Sequence, residues 1–169
     1  MDESGFSLVP CRVRTWAPRG QTPVLCHRHS WSKCSAISGI TTDARLFLLI
    51  RPKSIRTHEI QVFVRHLLRH IRGNICLVWD NLNAHKSQAV KQLVHQFKRR
   101  LWVEYLPPYA PELNPDEKVW KHLKYVDLAN FGPLNIQELT RAIRRSVGGL
   151  RRRPKILRGF LKGTPLFFD

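Results

Sequence analysis

Three short apolar runs, separated by amphipathic segments, constrain the fold more than any other feature of the chain. The runs are "LFLLI" from Leu46, "ICLVWD" from Ile75 and "LWVEYL" from Leu101. Runs of this length are typical of strands buried on both faces, and strands that alternate with helices indicate a mainly parallel sheet covered by helices. The stretch "WSKCSAISGIT" before the first run alternates loosely and predicts its hairpin partner. We therefore predict an α/β fold.

The segments between and after the runs have the period of helices that bury one face. From Ile60 onward, apolar residues recur at steps of three and four until Gly73 ends the pattern. "SQAVKQLVHQFKRR" predicts a second helix with Ser87 as its N-cap, and "DEKVWKHLKYV" predicts a third. "NIQELTRAIRRSVGGL" predicts a fourth, with two glycines weakening its end. We expect one domain over residues 1–169, with a basic helical segment at about 136–169.

Charge narrows the class of partner. The chain has 29 Lys and Arg against 12 Asp and Glu, a formal net charge of +17. Such an excess binds polyanions, so nucleic acid is the leading partner and an anionic membrane surface is the second. No apolar run approaches the roughly eighteen residues that a membrane span needs, and no secretory signal is visible. We therefore expect DNA or RNA rather than a membrane.

None of the four cysteines forms a C-x-x-C pair, and the remaining features fit a reduced, cytosolic protein. Cys76 lies inside an apolar run and is interpreted as a small core residue. A zinc site is the alternative for the other cluster, but its residues are too closely spaced for the usual pattern. They are Cys26, His27, His29 and Cys34.

Asp80 is an acid at the carboxyl end of a buried strand, where α/β proteins gather their chemistry. A turn or a helix cap would explain a lone Asp at this position. Four polar residues with metal or phosphate chemistry follow at once: Asn81, Asn83, His85 and Lys86. A cap needs only one of them, so capping and metal binding both stay open at this point.

Glu117 lies in the first turn of the helix that follows "PELNP". Acids in a first turn complement the helix dipole, and Asp116 alone would do so. Glu117 also shares a helical face with Lys121 and Lys124. This face is either a set of ion pairs or a metal ligand beside a strip of phosphate-binding residues.

Several of these segments resemble the signature blocks of one family. "VWDNLNAHKS" and "YLPPYAPELNPDEKVWKHLK" resemble the second and third blocks of transposases of the mariner-like superfamily, closest to the branch of bacterial insertion sequences. "DESGF" and "RTWAPRGQTP" resemble the first block and the loop after it. The resemblance covers essentially the whole chain, and "LPPYAPELNPDE" is its most specific part.

The resemblance implies a DDE endonuclease on a ribonuclease-H-like fold, with a central mixed sheet flanked by helices. It makes Asp2, Asp80 and Glu117 the three catalytic, metal-binding carboxylates and leaves Asp116 outside the motif. It also implies four motif-supporting residues, whose place in the motif does not require a catalytic role: Asn81, His85, Asn114 and Pro115. The implied location is the bacterial cytoplasm, in association with the nucleoid.

Phosphodiester cleavage explains why such a family needs three acids. Two divalent ions, Mg²⁺ or Mn²⁺, about 3.5–4 Å apart clamp the attacking and leaving oxygens, and hard oxygen ligands suit them. Three acids brought together without a cation would repel one another, and this repulsion would raise their pKa values. The implied reaction is hydrolysis at a transposon end, followed by attack of the freed 3′-hydroxyl on target DNA.

Basic side chains are expected to supply the contacts to DNA, through phosphates that position the duplex without reading its sequence. The predicted contacts are Lys118, Lys121, Lys124, Arg151, Arg152 and Arg153. Family analogy adds transposon ends and target DNA as partners, and a homodimer on DNA. Most of the tryptophans among Trp16, Trp31, Trp102 and Trp120 are expected in core or loop packing rather than in base stacking.

The start of the chain departs from the family pattern. Family members carry an N-terminal helix-turn-helix region that recognises transposon ends, and their first strand is an apolar run that ends at the first acid. Only Met1 precedes Asp2 here. We therefore expect a truncated first strand, an absent recognition region and a separate N-terminal recognition polypeptide as a partner. The alternatives to an active transposase domain are a DNA-binding remnant without activity and another ribonuclease-H-like nuclease.

Overall fold

The structure, a computed structural model, describes residues 1–25 and 30–166. Its strands are β1 (Asp2–Ser7), β2 (Lys33–Ile40), β3 (Leu46–Arg51), β4 (Ile75–Trp79) and β5 (Leu101–Tyr105). Its α-helices are α1 (Thr57–His70), α2 (Gln88–Gln96), α3 (Pro115–His122), α4 (Ile136–Arg151) and α5 (Pro154–Lys162). A 3₁₀ turn (Pro111–Leu113) precedes α3, and a π-helical turn (Leu123–Asp127) follows it. Three residues of the zinc alternative, Cys26, His27 and His29, lie outside the described residues.

The strands run in mixed directions. β1, β2 and β3 form an antiparallel sheet with β2 in the middle, and β4 pairs with β5 in parallel. The Met1 ammonium donates a hydrogen bond to the Val78 carbonyl (2.8 Å), so the start of β1 lies beside β4. The predicted hairpin partner of β3 and the mixture of parallel and antiparallel pairing are confirmed, with the strands divided between two sheets. A mainly parallel sheet is wrong, because no helix intervenes between the first three strands and they run back and forth.

β1 differs from the strand that the family pattern predicts. That pattern ends the first strand at Asp2, whereas β1 continues past Asp2 to Ser7. The strand forms despite its few apolar residues because every position pairs with β2, from Asp2 opposite Ser38 to Ser7 opposite Lys33. Successive side chains of a strand point to opposite faces, so its two acids face different layers.

Two apolar clusters cover the two faces of the antiparallel sheet. One joins it to α3, α4 and α5 through Val119, Ile143 and Leu157. The other joins it to α1, α2 and β4 through Phe63 and Trp79. The predicted helices are confirmed and form the outer layers. No helix among the described residues is long and apolar enough to cross a membrane.

Two local predictions differ from the structure, and a third agrees with it. Ser87 lies at the N-cap position of α2, but its hydroxyl makes no capping hydrogen bond. Cys76 is exposed rather than in the core, because β4 alternates and turns Leu77 and Trp79 inward. The predicted fourth helix agrees with α4, which includes Gly148 and Gly149 and continues to Arg151, and the intervening Leu150 is fully buried.

Phe63 provides a test of the core beneath the antiparallel sheet. Its side chain is fully buried, and its ring lies 3.6 Å from the point where a Cβ would stand on Gly39 of β2. We expect Phe63→Ala to lower the free energy of unfolding by about 3–5 kcal/mol, because it removes a fully buried ring and leaves a cavity in the core. Phe63→Leu should cost about 1.5 kcal/mol or less. Urea denaturation measures both values, and equal costs for the two variants would contradict this packing.

Candidate active site

Asp2 is a buried carboxylate at the start of β1, with 6% of its surface exposed. Its Oδ2 accepts a hydrogen bond from the Trp120 indole Nε1 (2.9 Å). Phe6 packs edge-on against the same indole, with ring centroids 5.9 Å apart. Because Asp2 and Phe6 lie on the same face of the strand, β1 presents this carboxylate to α3.

The surroundings of Asp2 raise its pKa from 3.8 to about 7. Burial is the main cause, and the negative charges of Asp116, Glu117 and Glu3 act in the same direction, while the Met1 ammonium opposes them. Burial and like charges both disfavour an ionised carboxylate. A cation near Asp2 would relieve this repulsion.

The start of α3 fixes two neighbouring acids. Asn114 is the N-cap, and its side chain accepts a hydrogen bond from the Asp116 backbone N–H (3.1 Å). Pro115 occupies the first helical position, where its missing N–H costs nothing. These two predicted motif-supporting residues therefore determine how Asp116 and Glu117 enter the helix.

Asp116 and Glu117 have different surroundings. Asp116 is fully buried, accepts a hydrogen bond from the Ser38 hydroxyl and lies 3.1 Å from the Met1 ammonium. Glu117 is half-buried, and no described residue donates a hydrogen bond to its carboxylate. Asp116 therefore joins α3 to the sheet, while the oxygens of Glu117 are uncommitted.

Asp80 follows β4 directly, and about a third (35%) of its side chain is exposed. Its Oδ1 lies 2.7 Å from His85 Nδ1 and accepts a hydrogen bond from the Leu82 N–H (3.2 Å). His85 is fully buried, and its Nε2 lies 2.9 Å from Glu3 Oε1. Burial alone would lower the pKa of His85, but the hydrogen bond and charge of Glu3 and the charge of Asp80 raise it.

The three predicted metal ligands are not gathered into a closed cluster. Asp2 and Glu117 are electrostatic neighbours on the α3 side, whereas Asp80 is held by His85. Within residues 1–25 and 30–166, no group of three or more His, Cys, Asp or Glu side chains is placed to hold a metal ion. The metal-binding roles of Asp2, Asp80 and Glu117 therefore stay predictions.

The donor chemistry of these residues nevertheless fits a hard divalent cation. Asp2 Oδ1, Asp80 Oδ2 and both carboxylate oxygens of Glu117 accept no hydrogen bond from any described residue. Carboxylate oxygens are the ligands that Mg²⁺ and Mn²⁺ prefer. Each predicted ligand thus has at least one oxygen available to a cation.

The predicted phosphate contacts on and after α3 are partly engaged within the protein. Lys118 Nζ donates to the Gly163 carbonyl, and Lys124 Nζ donates to the Ser4 hydroxyl (2.7 Å). Lys121 is exposed. Contact of these side chains with DNA stays a prediction.

The predicted phosphate contacts at the end of α4 are also partly engaged within the protein. Arg151 Nε donates to the Leu46 carbonyl (2.8 Å), and Arg153 Nε donates to the Gly149 carbonyl (3.2 Å). Arg152 lies between them and is exposed. A bond through Nε leaves the terminal nitrogens of a guanidinium for other acceptors.

Two residues of the site, Glu3 and Trp120, were not predicted as site residues from the sequence. The period of two along β1 places Glu3 on the face opposite Asp2, and the helical step of three places Trp120 near Glu117. The expected core or loop packing is wrong for the other tryptophans, because their side chains are exposed: Trp16 by 99%, Trp31 by 83% and Trp102 by 45%. Of the asparagines after β4, Asn81 is exposed and has no capping bond among the described contacts.

Comparison with solved structures gives the same fold in Mos1 mariner transposase. The Mos1 strand transfer complex superposes with a TM-score of 0.61 at 16% identity, covering 99% of this chain and 54% of that chain. The Mos1 paired-end complex with Mg gives 0.63 at 16% identity, covering 95% and 52%. The Mos1 catalytic domain gives 0.54 at 15% identity, covering 99% and 82%. The chain thus spans about half the length of the Mos1 chains in those complexes.

These structures confirm the ribonuclease-H-like α/β fold, and at this identity they show the fold alone. No curated protein matches the chain significantly in sequence. A family model described as DDE superfamily endonuclease matches residues 1–133. Since that match takes in most of the sequence, including Asp2, Asp80 and Glu117, the chain belongs to the DDE superfamily of endonucleases.

Proposed function

We propose that this chain is a transposase catalytic domain that cleaves and joins DNA strands, in the branch of bacterial insertion sequences. The observation that carries the proposal is a concentration of acids in a strongly basic protein. The net charge is +17, yet the negative charges of Glu3, Asp116 and Glu117 all act on the buried Asp2 carboxylate. Four of the 12 acidic residues therefore interact at this one place. The Met1 ammonium offsets this repulsion only in part, since the pKa of Asp2 stays raised, so a further cation would stabilise the arrangement.

Asp2, Asp80 and Glu117 are the residues that would hold two divalent ions. Bound there, Mg²⁺ or Mn²⁺ would supply an activated water and neutralise charge on the scissile phosphate. Mos1 paired-end complexes with Mg and with Mn support this choice of ions. Trp120 holds one oxygen of Asp2 in place, and the cap of α3 by Asn114 orients Glu117.

DNA is the proposed partner, as transposon ends and as target. Solved Mos1 relatives include a paired-end complex with a left transposon end and a strand transfer complex, which supports this proposal. The exposed side chains of Lys121 and Arg152 are available to phosphates. Pairing of two transposon ends calls for a dimer on DNA.

The decisive experiment combines the purified chain with supercoiled plasmid and a labelled oligonucleotide that carries a free 3′-hydroxyl. We expect plasmid nicking that requires Mg²⁺ or Mn²⁺ and stops in EDTA, together with covalent joining of the oligonucleotide to the plasmid. Nicking without joining would replace the proposal with a ribonuclease-H-like nuclease. Salt-sensitive binding without either reaction would replace it with a non-enzymatic DNA-binding remnant.

Glu117→Gln tests the assignment of the third acid. We expect it to slow metal-dependent nicking by about a hundredfold to a thousandfold, a loss typical of a deleted transition-state contact. Glu112→Gln is the matched control, because Glu112 is an exposed acid in the turn just before α3. The initial rate of plasmid nicking measures both, and equal rates for the two variants would remove Glu117 from the site.

A further inference from the structure

We propose that Glu3, acting through His85, is a positioning residue that orients the Asp80 carboxylate toward a bound cation. The inference rests on the proposed function in one respect, namely that Asp80 is a metal ligand. It gives a role to the second acid of the chain, which lies beside a predicted ligand but faces the other side of the sheet.

The geometry links three side chains from two distant parts of the chain. His85 Nε2 lies 2.9 Å from Glu3 Oε1, and His85 Nδ1 lies 2.7 Å from Asp80 Oδ1. Each ring nitrogen therefore has a carboxylate oxygen within ion-pair distance, and Nδ1 also makes a hydrogen bond with the Asp80 main-chain carbonyl (3.3 Å). The imidazole connects β1 to the loop that follows β4, and it fixes one oxygen of Asp80 on the protein side.

The imidazole is held rigidly. His85 is fully buried and stacks on Trp79, with ring centroids 4.5 Å apart and the planes 6° from parallel. Trp79 is the last residue of β4 and is itself fully buried. The stack fixes the plane of the ring, and the contacts of both ring nitrogens fix their directions within that plane. A ring fixed in this way transmits the position of Glu3 to Asp80.

No other polar contact of the Glu3 side chain with the described residues explains its position. Its Oε2 is buried and accepts no hydrogen bond from a described residue, so His85 is its one recorded polar partner. A cavity of about 190 Å³ lies beside it, lined by Glu3, Gly5, Leu82 and His85 among others. Burying a carboxylate with one oxygen unpaired costs stability, so the position of Glu3 fits a role in the site better than a role in stabilising the fold.

The two carboxylate oxygens of Asp80 therefore have different partners. Oδ1 is committed to His85 and to the Leu82 N–H, whereas Oδ2 has no hydrogen-bond partner among the described residues. Asp80 is thereby set to offer a cation one oxygen in a fixed direction. Partners behind a metal ligand typically change metal affinity by about tenfold to a hundredfold when they are removed.

Two amide replacements of His85 separate positioning from packing. The side-chain nitrogen of Asn can approximate Nδ1 and face Asp80, whereas that of Gln can approximate Nε2 and face Glu3. Calorimetric titration of Mg²⁺ onto the full chain should show affinity reduced about tenfold to a hundredfold in His85→Gln and clearly less in His85→Asn. A merely structural histidine would give two variants with the same Mg²⁺ affinity as wild type and similarly lowered Tm values.

Glu3→Gln tests the other end of the link and remains informative if a His85 variant fails to fold. We expect about a tenfold loss of Mg²⁺ affinity, and no further loss when Glu3→Gln is added to His85→Gln, because the two residues act in series. His95→Gln, at an exposed histidine of α2, is the control and should bind Mg²⁺ as wild type does. Losses that add fully in the double variant would overturn the proposal.

Asp80→Asn distinguishes the two possible failures. If it binds Mg²⁺ as wild type does, Asp80 is not a ligand and the proposed function loses its second acid. If it loses Mg²⁺ while Glu3→Gln and His85→Gln retain it, Asp80 keeps its assigned role and the positioning inference alone is wrong.

Discussion

Asp80→Asn is expected to slow metal-dependent DNA cleavage by about three orders of magnitude while leaving DNA affinity within about twofold of wild type. The amide keeps the size of the side chain and an oxygen for the Leu82 N–H, so the loop after β4 should keep its shape. It removes the negative charge through which Asp80 would hold a cation. Binding is expected to persist because the basic surface, not this residue, supplies the contacts to phosphate.

The measurement needs cleavage and binding on the same DNA. Initial rates of nicking give the first, and the dependence of Kd on salt concentration gives the second. Asp43→Asn is the control, because Asp43 is an exposed acid in the turn between β2 and β3, paired with Arg45 at 2.9 Å. Cleavage by Asp80→Asn at the wild-type rate would contradict the assignment, as would an equal loss in Asp43→Asn.

Asp2→Asn should raise the free energy of unfolding in metal-free buffer, and this gain should grow as the pH rises. The pKa of Asp2 is about 7 in the folded chain and 3.8 in the absence of its neighbours. The folded state therefore binds this proton more tightly than the unfolded state, and the resulting stability is present below pH 4 and lost as the pH rises through 7. A shift of this size corresponds to roughly 4 kcal/mol at most. Asn does not titrate, so the variant should gain about 2–4 kcal/mol over wild type between pH 4 and pH 8.

Urea denaturation in EDTA at several values between pH 4 and pH 8 measures this difference. Asp43→Asn again serves as the control, since the pKa of Asp43 is lowered, chiefly by the hydrogen bond from Thr41, and its titration lies below this range. Addition of Mg²⁺ at pH 8 should stabilise wild type and have little effect on Asp2→Asn. Parallel stability curves for wild type and Asp2→Asn would contradict the raised pKa.

Local periodicity was sufficient to predict most elements of the fold, because most helices and strands bury one side against one of the two apolar clusters. The steps of three and four after Ile60 correspond to α1, and the apolar run at Leu46 corresponds to β3. Strand direction was not predictable in this way. β1, "DESGFS", carries almost no apolar pattern, and its pairing with β2 depends on a partner some thirty residues away.

The candidate site was predictable only where a motif marks it. Asp80 follows a buried strand and Glu117 opens a helix, and both positions can be read from neighbouring residues. The link from Glu3 to His85 spans two segments that meet only after the sheet has formed. The burial of Asp116 rather than Glu117 likewise depends on Ser38 of β2, since helical spacing alone does not tell which of two adjacent acids faces the sheet.

The alternation of β1 has a consequence for the kinds of genetic change that this protein can accept. Asp2 and Glu3 point to opposite layers, toward Trp120 and toward His85, while the strand continues to Phe6 in the core. Insertion or deletion of one residue between Glu3 and Phe6 would exchange the sides of both acids at once. We therefore expect β1 to tolerate substitution at Gly5, which has no atom within 4 Å of its added Cβ, far better than any change of its length.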